Sequence, residues 1–150
     1  MRSDGSTAQV TAHRLVHCVL DSDSDGLTNA LETVVDQQED GLKPYVRGVV
    51  AELIQVGANA VRDSVGPDEQ PAFAVDLRDG TNDTVAIDEL EPQVRATIRA
   101  LLADLNGCPE DAQIQLDLAV RQLDPLTGLE TVRRALTMTI ALLQWSGEPR

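Results

Sequence analysis

The sequence predicts a mainly α protein, a bundle of about six helices with one β-hairpin near residues 72–88 after the third helix. Three observations predict it. Apolar residues recur at helical spacing in six separate stretches. One stretch between them changes to a period of two. Aromatic residues are almost absent, Tyr45, Phe73 and Trp145 being all there are, so Leu, Val, Ile and Ala must fill the core. A chain of 150 residues can bury such a core without disulfides or metals. The expected organisation is a disordered tail over 1–6, a single helical domain over 7–146 and a short tail over 147–150.

The first helix is expected to start at a Ser6 or Thr7 cap and to run to about Leu20. Ala12, Leu15, Val16 and Val19 share its buried face. The second carries Leu27, Leu31, Val34 and Val35 on its stripe. The third starts at an Asp40 cap, with Pro44 in the first turn, where a missing N–H does no harm. Leu42, Val46, Val49, Leu53 and Ala60 mark its inner face, and Gly66-Pro67 ends it. Gly48 and Gly57 inside it each cost about 1 kcal/mol against Ala, and close approach of a neighbouring helix explains keeping them.

Phe73, Val75 and Leu77, then Val85 and Ile87, alternate with other residues on either side of Asp79-Gly80, which reads as the hairpin. The fourth helix opens near Pro92 and closes at Asn106-Gly107, with Val94, Ile98, Leu101, Leu102 and Leu105 as its stripe. Residues 112–120 read two ways. Ala112, Leu116, Ala119 and Leu123 fit a helix, while Ile114, Leu116 and Leu118 alternate like a strand. Pro109 followed by Glu110 and Asp111 is a helix start, which favours the helix. The last helix carries a Thr127–Glu130 capping box and a stripe of Leu129, Val132, Leu136, Ile140 and Leu143. A helix, an acidic connection, a second helix and a Gly-Leu start recur on both sides of the hairpin (Gly41-Leu42, Gly128-Leu129), the pattern of either a duplication or a coincidence.

The formal net charge is −13, from 25 acidic and 12 basic residues. Asp outnumbers Glu by 16 to 9, and Lys43 is the only lysine. Such a balance suits a salt-adapted protein, whose self-repulsion salt screens, and equally a GC-rich genome. It repels phosphate backbones and anionic lipid, so neither nucleic acid nor membrane is expected as a partner. No run reaches the ~18 apolar residues of a membrane span, and the N-terminus lacks the order of a signal peptide. A cytoplasmic location is expected, with the virion as the alternative. Cys18 and Cys108 form no CxxC pattern, which leaves free thiols or a single bridge.

One segment matches a ligand pattern at every fixed position: DSDSDGLTNALE, Asp21 to Glu32. Ca²⁺ takes about 6–8 oxygen ligands. Asp21, Asp23 and Asp25 supply carboxylates at alternating positions, and Gly26 permits a sharp turn. Leu27 offers its carbonyl, Asn29 holds a water, and Glu32 closes the shell with two oxygens. This stretch resembles the EF-hand loop, and its D-x-D-x-D-G-L-x-N order resembles bacterial single-loop calcium repeats. The resemblance covers these residues only and implies one Ca²⁺ as cofactor. Thr28 departs from the pattern, standing where paired EF-hands carry an aliphatic residue, and there is no second loop. The competing reading is a polar turn in which Asp21 meets the end of the first helix and Ser24 or Asp25 caps the second.

His13 and His17 stand at i, i+4, which places both rings on one helix face, and Asp21 extends the row. Two imidazoles and a carboxylate form a weak signal for a transition metal such as Zn²⁺ or Fe²⁺. There is no GxSxG, no phosphate-binding glycine loop and no HExxH. Cys18 follows His17, but adjacent helical residues point about 100° apart and form no nucleophile–base pair. The expected function is therefore a small, acidic, non-enzymatic interaction or assembly protein, a viral or phage structural adaptor being one form of it. Self-association as a homodimer is expected, with room for another protein partner. The alternative is a small metal-dependent enzyme using His13, His17 and nearby carboxylates.

Overall fold

The computed structural model describes residues 4–37, 39–65, 81, 83–121 and 123–147. Six α-helices lie among them: α1 (Asp4–Leu20), α2 (Ser24–Val35), α3 (Glu39–Val65), α4 (Pro92–Leu105), α5 (Pro109–Ala119) and α6 (Pro125–Gly147). They pack as a helical bundle with α3 at its centre. α1 and α6 lie along α3, α4 pairs with α5, and α2 leans on α1 and α6. The apolar stripes meet in one connected core to which all six helices contribute. Leu15, Val34, Val46, Val49, Leu53 and Val132 are fully buried there. No helix among the described residues is long and apolar enough to cross a membrane.

Both glycines inside α3 are sites of close approach. A Cβ on Gly48 would stand 2.8 Å from the Ala8 Cβ of α1, and one on Gly57 would stand 2.9 Å from Leu142 Cδ1 of α6. The first of these contacts also accounts for a difference from the sequence reading. α1 begins at Asp4, inside the expected tail of residues 1–6, because Ala8 and Ala12 are already fully buried and hold its first turns against α3.

Buried hydroxyls stitch the helices together, as buried polar groups must find partners. Thr11 and Tyr45 share a hydrogen bond between α1 and α3. Thr139 on α6 lies 3.0 Å from the Leu53 carbonyl of α3 and 2.8 Å from Ala135 O of its own helix. Arg62 and Asp104 pair at 3.3 Å between α3 and α4.

Most of the expected hairpin, residues 72–80 and 82, lies outside the described residues. Its last part departs from the expectation. Among the described residues there is no strand. Thr84 makes an isolated bridge, and Ile87–Glu89 wind into a 3-10 turn closed by Glu89 N–H on Ala86 O at 3.0 Å. Arg99 and Arg95 of α4 hold this turn, through the Asp88 carboxylate at 2.9 Å and the Asp88 carbonyl at 3.2 Å. The alternation of Val85 and Ile87 is two residues long, too short to outweigh those ties.

The ambiguous stretch is a helix, α5. Ala112, Leu116 and Ala119 face inward, whereas Ile114 and Leu118 are 56% and 40% exposed. The start of α6 also differs from expectation. Asp124, not Thr127, is the cap: its Oδ1 accepts the Thr127 N–H at 2.8 Å, and Pro125 opens the helix. That hydrogen bond favours the ionised form and holds the Asp124 carboxyl below its usual value. The contribution of the cap is therefore complete above the ordinary aspartate range and is lost as pH falls through the lowered value.

Candidate functional site

The residues of the EF-hand resemblance form a tight interhelix turn. α1 ends at Leu20, and Ser22 takes a left-handed conformation with φ 57°. Asp23 N–H then reaches back to Cys18 O at 2.8 Å and Ser22 N–H to Val19 O at 3.2 Å, satisfying carbonyls that the helix end leaves open. α2 starts at Ser24, so Asp25, Leu27, Asn29 and Glu32 are all helical. The cap is Asp23, rather than Ser24 or Asp25; its Oδ1 accepts the Gly26 N–H at 3.0 Å.

Gly26 has a use here different from the one its loop position suggests. It has no positive φ. A Cβ on it would come within 2.3 Å of Asp23 Oδ2 and 2.9 Å of the buried Cys18 Sγ, so its missing side chain makes room for the capping carboxylate and the thiol. Asp25, Leu27, Asn29 and Glu32 thus lie along about two turns of α2, with Asp21 and Asp23 in the turn that precedes it. No group of three or more His, Cys, Asp or Glu side chains is placed to hold a metal ion among the described residues.

The histidine row also diverges. His13 Nε2 meets Glu52 Oε1 of α3 at 2.9 Å on a partly exposed face, and Gln9 Nε2 donates to the other Glu52 oxygen at 3.5 Å. His17, one turn further on, is exposed, and its carbonyl accepts the Asp21 N–H at 2.9 Å. The structure brings His13 to Glu52 and joins neither to His17. Cys18 is buried and Cys108 exposed, and both are free thiols.

Two surface grooves went unnoticed in the sequence. The larger, about 620 Å³, lies between the first turns of α3 and the outer face of α5. Ile114, Leu118 and Pro44 give it an apolar lining, and Lys43, Arg47 and Arg121 stand around them. Arg47 is fixed in place: its Nε donates to Asp117 Oδ1 at 2.6 Å and its Nη2 to Gln113 Oε1 at 2.7 Å. Lys43 and Arg121, like Arg14 and Arg95, have no carboxylate partner among the described residues, whereas Arg47, Arg62, Arg99, Arg133 and Arg134 each have one. The second groove, about 410 Å³, lies between α2 and α6 and is lined by Val19, Leu27, Leu31, Leu136 and Ile140 with Arg133 beside them. The signal for the first groove was present but faint: Ile114 and Leu118 stand four apart on an otherwise polar helix face, and the only lysine sits at the start of the longest helix.

Comparisons with protein-family models, with curated proteins and with solved structures gave no match.

Proposed function

We propose that the protein is a non-catalytic interaction and assembly module whose partner is a second copy of itself. The observation that supports this most is the outer face of α5, which leaves Ile114 and Leu118 exposed over a lined groove. Exposed apolar side chains grouped over a groove are a feature of interaction and ligand-binding surfaces. Symmetric pairs are the commonest way for one chain to cover such a face. Either expected location, cytoplasm or virion, suits a module of this kind.

Light scattering on the untagged protein at tens of micromolar tests the reading. A mass of two copies or more is expected, and a monomer mass overturns it. The competing reading, a metal-dependent enzyme, draws on the His13–Glu52 contact at 2.9 Å. Metal analysis of the same sample separates the two, because a stoichiometric transition metal belongs to the enzyme reading alone.

A further inference from the structure

The charge of this chain is unevenly placed. From Leu15 to Leu42 it carries seven carboxylates and no lysine or arginine. On α2 the exposed Asp25 and Glu32 stand seven residues apart, which puts them on one helix face. Leu20, 52% exposed, stands at the head of the same segment. The groove between α3 and α5 has the opposite character. Three cations, Lys43, Arg47 and Arg121, stand there against one carboxylate, Asp117, and two of the three have no ionic partner among the described residues. Two cations without a carboxylate partner thus stand beside two exposed aliphatic side chains in this groove. They fit a surface that meets an acidic helix carrying an apolar anchor.

We infer that the α3–α5 groove of one copy receives the acidic α1–α2 segment of another, with Leu20 over Ile114 and Leu118, and with Asp25 and Glu32 facing Lys43 and Arg121. This inference rests on the self-association proposed above and names its two surfaces. The apolar contact supplies attraction, and the charges set which faces meet and in what register. Because the two surfaces differ, reciprocal docking closes a two-fold pair, while one-way docking continues into a larger assembly.

The test is complementation between two charge-swapped variants, followed by sedimentation velocity, with thermal melts confirming that both fold. Lys43→Glu with Arg121→Glu reverses the groove, and Asp25→Lys with Glu32→Lys reverses the helix. Each variant alone is expected to self-associate at least about tenfold more weakly than the wild type. An equimolar mixture is expected to recover much of the lost association. If the wild type associates and both variants match it, self-association stands and the groove assignment is overturned. Weakening without recovery on mixing overturns the α1–α2 segment as the occupant. A monomeric wild type overturns the proposed function itself.

Discussion

The turn from α1 to α2 and the turn from α4 to α5 have almost the same backbone and very different sequences. In the first, Asp23 N–H bonds Cys18 O at 2.8 Å and Ser22 N–H bonds Val19 O at 3.2 Å. In the second, Cys108 N–H bonds Ala103 O at 2.8 Å and Gly107 N–H bonds Asp104 O at 3.2 Å. The left-handed residue is Ser22 in one, with φ 57°, and Gly107 in the other, with φ 77°. The next helix starts two residues later in both, at Ser24 and at Pro109. Yet DSDSDG reads as a calcium loop and LNGCPED reads as a plain helix end. The lesson is that a run of oxygen-bearing residues states what a segment could hold, while the backbone around it decides what its oxygens do.

Three changes break or sharpen this equivalence. The largest effects are expected at the left-handed position, where a side chain is crowded and glycine is not. Gly107→Val should lower stability by about 2 kcal/mol, and Ser22→Gly should raise it by about 1 kcal/mol. Urea melts of the two variants measure this; opposite signs are the mark of one shared turn, and equal signs would show that the two turns differ.

Capping comes next. Asp23 caps α2 through its side chain, whereas Cys108 makes no such bond to α5. Asp23→Ala is expected to lose about 1 kcal/mol, and Cys108→Ser to gain about 0.5 kcal/mol. Thermal denaturation reads both. No loss in the first variant would mean that the Asp23 carboxylate serves something other than the helix start.

The smallest expected effect is that of calcium. For Asp21, Asp23 and Asp25 to converge, the first turns of α2 must unwind and Asp23 must release Gly26. Calorimetry with micromolar Ca²⁺ is accordingly expected to show no saturable heat. Saturable binding that disappears in Glu32→Gln would show that this turn opens where its counterpart at Gly107 does not.

These turns also mark how far the sequence could be read. The helices were legible because apolar residues three and four apart must share a face: Val94, Ile98, Leu101 and Leu105 on α4 show it without interruption. α5 was harder, since Ile114, Leu116 and Leu118 alternate and only the helix start at Pro109 spoke against a strand; burial of Leu116 beside exposure of its two neighbours resolves it. The left-handed Ser22 was not legible, because serine carries no local mark of that conformation as glycine does. The role of Gly26 was hidden as well, since it depends on Cys18, eight residues earlier, lying next to it. The cationic groove depends on Lys43 of α3 and Arg121, just past α5, lining one groove although they are distant in the chain, a juxtaposition that no local pattern encodes.

Gly48 and Gly57 act together as a measuring device. They lie nine residues apart on α3, which corresponds to about 13.5 Å along its axis and about half a revolution around it. One notch therefore seats α1 and the other seats α6, on opposite sides of the rod and at different heights. Sliding either neighbour along the rod would carry Ala8 or Leu142 off the notch that now receives it. Apolar side chains alone would let these helices find several registers of similar energy; two missing methyl groups select one.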